Sequence, residues 1–102
     1  MTIYALASGS GISGVAVIRV SGDNVKRVIK MLTGKELPSP RVATLRKINN
    51  INTSELIDEG IIIWFPGPQS YTGEDMAEFH VHGSKAVIHS MHQCILKING
   101  CR

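Results

Sequence analysis

Apolar residues follow two rhythms along this chain, and the changes between them mark its elements. Val15–Val20 (VAVIRV) and Ile61–Phe65 (IIIWF) are apolar runs without alternation, the pattern of strands covered on both faces. Asp75–His82 alternates instead. Ala77, Phe79 and Val81 form an apolar face, and Met76, Glu78, His80 and His82 a polar one, since successive strand residues point to opposite sides. Ile3–Ala7 and Val42–Ile48 read as two further strands. Val25, Val28, Ile29 and Leu32 recur at helical spacing, with Ser21 as the expected N-cap and Gly34 where a left-handed cap is wanted. A second helix runs from Gly83-Ser84 to about Ile98 on a stripe of Val87, Met91, Cys94 and Ile98, capped by Gly100. Pro38, Pro40 and Pro66-Gly67-Pro68 mark loops. The predicted order is strand, glycine-rich loop, strand, helix, three strands, helix, with Ile61–Phe65 at the sheet's centre. Helices separated by groups of strands predict an α+β domain with a mixed sheet of about five strands and two helices.

Length fits this reading, because 102 residues make one domain, residues 1–102, with one core. Composition is globular, at 43% apolar and 19% charged residues, which excludes a disordered tail. No uninterrupted apolar run exceeds five residues, so no membrane partner is expected. The first 20 residues show no basic start followed by an apolar block, and the cytoplasm is the expected compartment. Cys94 and Cys101 are too few for a disulfide framework or a four-cysteine zinc site. The chain stops one residue after Cys101 without a polar tail, so a piece of a longer protein is expected.

Several features offer chemistry. Gly9-x-Gly11-x-x-Gly14 imitates a dinucleotide-binding fingerprint, with Glu36 about 20 residues on, but a strand and not a helix is predicted after Gly14. Gly34-Lys35 lacks the spaced upstream glycine of a phosphate loop, and Glu36 occupies its hydroxyl position. Arg19 is the one charge inside VAVIRV, so an anion is expected beside it, from Glu74, Asp75, Glu78 or a ligand. All four histidines, His80, His82, His89 and His92, lie within a short span, which raises a metal-binding module as an alternative. Lys26, Arg27 and Lys30 crowd one side of the first helix, with Lys35 beyond. A solvated face is the usual reason for such a cluster, and phosphate contact the lesser one.

VIRVSG (residues 17–22), WFPGP (64–68) and SYTGED..E...HG (from Ser70 through Glu78 to His82-Gly83) together resemble the amino-terminal domain of the MnmE (TrmE) family of tRNA-modification GTPases. The likeness covers nearly the whole chain. It departs in the early loop and at Ser84, where a second glycine is common. It implies a folate-binding, dimer-forming domain similar in fold to the tetrahydrofolate-binding part of aminomethyltransferases. The resemblance further implies that 5-formyltetrahydrofolate, or a related one-carbon folate, is contacted at Arg19 and Glu78. Tyr71 is a candidate for stacking on the ligand ring, and no catalysis is expected from these residues alone. For the parent protein it implies GTP hydrolysis with magnesium and potassium outside this segment. Its implied partners are a flavin-dependent protein and tRNA modified at the wobble uridine. A purely structural dimerisation domain, with Arg19 and Glu78 as an internal tie, is the remaining alternative.

Overall fold

A computed structural model describes residues 2–7, 14–98 and 100–101. The glycine-rich segment 8–13, with the first two glycines of the fingerprint, lies outside the described residues. The elements are β1 (Thr2–Leu6), β2 (Val15–Gly22), α1 (Val25–Thr33), β3 (Thr44–Asn49), β4 (Leu56–Phe65), β5 (Met76–His82) and α2 (Lys85–Leu96). Five strands and two helices in this order are the predicted α+β set. The strand after Gly14 removes the dinucleotide reading, which needs a helix there.

The strands form one sheet in the order β1-β2-β5-β4-β3, and all four pairings are antiparallel. Among the described residues, parallel pairing is confined to the isolated bridges Thr2–Cys101 and Pro40–Trp64, so the expected mixture of strand directions shrinks to those two contacts. The centre is β5 and not Ile61–Phe65. That run is apolar on both sides for another reason: Ile62 and Trp64 are buried, while Ile61, Ile63 and Phe65 are half-buried on a face over which the described residues place no second layer.

Ser21 also departs from its expected role. It belongs to β2, opposite Ile3 and Met76, because pairing continues until the Gly22 amide donates to the Asp75 carbonyl at 3.0 Å. Asn24 takes the N-cap position instead. At the other end Gly34 has φ 68° and its amide closes on the Lys30 carbonyl at 2.8 Å, the left-handed cap the sequence predicts. Ser84 caps α2, its hydroxyl accepting from the Val87 amide at 3.2 Å; at the other end Lys97 and not Gly100 takes the C-cap position, because the helix closes there on the Cys94 and Ile95 carbonyls.

Ile18, Val20, Ala77, Phe79 and Val81 share one core cluster with the apolar stripes of both helices. Since these sheet residues alternate with Arg19, Glu78 and His80, both helices lie on one face of the sheet. Among the described residues no helix covers the other face, and that is where the polar residues of β5 stand.

Candidate functional site

Register builds the site. In the β2–β5 ladder Arg19 stands directly opposite Glu78, and on the far side of β5 Ile63 of β4 is Glu78's partner. The Arg19 Nε and Nη2 groups both donate to Glu78 Oε2, at 3.2 and 2.7 Å. His80, two residues along the same face, bonds through Nε2 to Glu78 Oε1 at 3.0 Å. The Arg19 and Glu78 side chains are 35% and 15% exposed, so the pair is neither split apart nor sealed under hydrocarbon.

The loop between β4 and β5 folds over this row. Its base is tied by the Gly67 amide to Asp75 Oδ1 at 3.0 Å and by the Ser70 hydroxyl to the Glu74 carbonyl. Ser21 meets Thr72 Oγ1 at 2.7 Å and Glu74 Oε2 at 3.3 Å. The loop brings the Tyr71 ring to 5.3 Å from the Arg19 guanidinium carbon, a cation–π distance. Tyr71 itself is 85% exposed. Ile3, Ala5, Arg19, Ser21, Thr72 and Glu74 line a cleft of about 270 Å³ beneath the loop. Sites for complete drug-sized ligands run from about 300 to 1,000 Å³, so this cleft suits one ring system better than a whole vitamin.

The remaining hydrogen-bond capacity is limited. An ionised carboxylate offers about four lone-pair positions. Arg19 fills two on Oε2 and His80 one on Oε1, leaving one acceptor position on Glu78. The free position is on Oε1, so two adjacent N–H donors of a ligand ring can engage both oxygens only if Arg19 gives up one of its bonds to Oε2. His80 is the member of this site that the motif reading left without a role.

Burial pushes the Glu78 carboxyl up, but hydrogen bonds from Arg19 and His80 outweigh it and hold it below the usual carboxylate range. A depressed folded-state value stabilises the fold above the unfolded value, near about pH 4.3, and that stabilisation is lost as pH falls through the folded one. Glu78→Gln should therefore cost about 1–2 kcal/mol at pH 7, part of the bond being screened at the exposed guanidinium. Urea unfolding at pH 7 and pH 3 should show the gap to the parent closing in acid; an unchanged gap contradicts the assignment.

The histidines do not converge. His82 Nδ1 lies 2.7 Å from Asp58 Oδ1, and its backbone amide donates to Asp58 Oδ2 at 2.8 Å. Asp58 thus ends the β4–β5 ladder with a carboxylate in place of a carbonyl. Burial raises its pKa, but the bonds from His82 prevail and hold it low. His92 packs edge-on to Tyr4 with ring centroids 5.1 Å apart, in a groove that His89 also lines. That groove is formed with α2 and lies apart from the residues of the uncovered face. Among the described residues no group of three His, Cys, Asp or Glu side chains could hold a metal, which overturns the metal-module alternative. The Asp58–His82 contact spans 24 residues and has no signal in the sequence.

The sequence matches the family described as "GTP-binding protein TrmE N-terminus" over residues 2–102, and the chain belongs to that family. It is 72% identical over its whole length to a tRNA modification GTPase MnmE from Pelagibacter ubique (strain HTCC1062), of which it covers 23%. A mitochondrial 5-taurinomethyluridine-[tRNA] synthase subunit from Danio rerio is 50% identical across 99% of the chain, which covers 20% of that relative. An MnmE from Maricaulis maris (strain MCS10) is 54% identical across 85% of the chain, again covering 20% of the relative. The chain spans about a fifth of the length of these curated relatives. Among the described residues, no helix is long and apolar enough to cross a membrane.

Proposed function

We propose that this chain is the folate-binding and dimer-forming part of a GTPase that modifies the wobble uridine of certain tRNAs. The observation that carries the reading is the part-buried Arg19–Glu78–His80 row at the middle of an otherwise uncovered sheet face, next to a ring-sized cleft. The residues fit a one-carbon tetrahydrofolate such as 5-formyltetrahydrofolate in kind. Glu78 accepts ring N–H donors, Arg19 attracts an anionic group, and Tyr71 supplies an aromatic surface. When bound, the folate supplies a one-carbon unit. This chain's residues hold and orient it and carry no bond-making step themselves.

Exposed Ile3, Val15 and Leu45 lie on the same uncovered face. Apolar surface of this kind supports association with a second copy, and a partner would also complete a cleft too small for a whole folate. GTP hydrolysis with magnesium and potassium, and work with a flavin-dependent protein on tRNA, belong in this proposal to the rest of the parent protein. We place that protein in the cytoplasm, with an organelle as the alternative suggested by the mitochondrial name of one relative.

Calorimetry with 5-formyltetrahydrofolate on the whole protein tests the site. Binding should be lost, by at least about 100-fold, in Arg19→Ala and Glu78→Gln while circular dichroism stays that of the parent. Unchanged affinity in both variants removes the assignment. A stable dimer without folate affinity in the unaltered protein would instead make Arg19–Glu78 an internal tie.

A further inference from the structure

We infer that the outer face of α1, continued by Lys35 and Arg46, is a docking surface for the phosphate backbone of double-helical RNA. The inference rests on the tRNA reading above and assigns that partner a place on this chain.

Charge in this sequence is strongly segregated. Seven of the eleven Lys and Arg residues fall between positions 26 and 47, where Glu36 is the one acid. The fold gathers five of them. Val25, Val28, Ile29 and Leu32 are buried, which turns Lys26, Arg27 and Lys30 outward. Lys35 is exposed just past the Gly34 cap. On β3, Arg46 shares its side with buried Ile48, so it stands on the helix-bearing face of the sheet, where α1 packs against β3.

The arrangement is poor for an isolated domain. Lys26 and Lys30 are one turn apart, as are Arg27 and Lys30, and like charges at these spacings destabilise a helix. Lys26 and Arg27 stand in the first turn, which carries no acid, against the direction the helix dipole favours. Among the described residues the one ion pair on this stretch is Lys30–Glu36 at 3.5 Å, with Glu36 90% exposed. Arg46 Nε is buried without a hydrogen-bond partner. A polyanion relieves the like-charge repulsion and the mismatch with the helix dipole. Lysines and arginines in a row neutralise successive phosphates and release counterions. No aromatic side chain is exposed among them, so stacking on single-stranded bases has no platform here, and a duplex stem is the favoured form. The surface lies across the sheet from Arg19 and Glu78, so both ligands can be held together.

The test is tRNA binding by the whole protein across a salt series, for the parent, for Lys26→Ala/Arg27→Ala/Lys30→Ala combined, and for the charge-keeping Lys26→Arg/Lys30→Arg. The triple variant should lose about tenfold or more in affinity near 0.15 M salt, and its log–log salt slope should fall by about 2–3. The charge-keeping variant should match the parent. A plain RNA hairpin stem should compete with tRNA better than a single-stranded oligomer of equal length. Parent affinity and slope in the triple variant, or stronger competition by the single strand, overturns the inference. So does binding of a polyglutamate peptide with no RNA binding, which gives the surface to an acidic protein. Folate affinity of the triple variant should equal the parent's, so a parent-like RNA affinity in the triple variant rejects this surface alone, and a parent-like folate affinity in Arg19→Ala and Glu78→Gln rejects the Arg19–Glu78 site alone.

Discussion

Phe79→Ala should cost about 3–5 kcal/mol, a large share of the roughly 5–15 kcal/mol that holds a domain of this size together. Phe79 is fully buried on the central strand, between Ile18 of β2 and Ile62 of β4, and both helices pack against β5. Nothing else from the sheet can fill the space, because the alternate side chains of β5 point to the uncovered face. Urea unfolding should show the midpoint falling sharply with little change in slope. A loss below about 1 kcal/mol would mean that the helix layer is not seated on β5.

Gly60→Ala has the next largest expected effect. A Cβ at Gly60 would stand 2.3 Å from the backbone carbonyl oxygen of His80, a contact that ladder geometry cannot absorb without moving a strand. The expected cost is about 2–3 kcal/mol, and it carries a functional signature. Displacing His80 loosens the Nε2 bond to Glu78 Oε1, so folate affinity should weaken along with stability. Thermal unfolding and calorimetry on one variant check both parts. Destabilisation with parent-like affinity would show that His80 does not help to set Glu78.

The fold was largely legible because periodicity reports burial. Val28, Ile29 and Leu32 of α1, and Ala77, Phe79 and Val81 of β5, are buried where their spacing puts them. The errors have physical causes. Ile61–Phe65 looks covered on both sides because Ile61, Ile63 and Phe65 are apolar on the uncovered face as well, and residue type alone does not report what lies over it. Ser21 looks like a cap because its residue type suits one, yet strand pairing through Gly22 holds it in β2 and turns its hydroxyl to Thr72.

At the site, Arg19 demanded an anion by its isolation in an apolar strand, and register chose Glu78 over Glu74 and Asp75. Glu74 remains on the rim of the same cleft. Pairing across the ladder is a long-range property that no local pattern carries. For that reason His80 on Glu78 and Asp58 on His82 were not visible. Tyr71 lies over Arg19, where a ring could be added on its exposed side.

Hydrogen–deuterium exchange of the whole protein with and without 5-formyltetrahydrofolate addresses the central claim most directly. Ligand should slow exchange in peptides spanning residues 15–22 and 70–82, with those covering 25–33 and 85–96 unchanged. Protection confined to the helix layer, or none at saturating folate, would contradict the placement of the vitamin on the uncovered face.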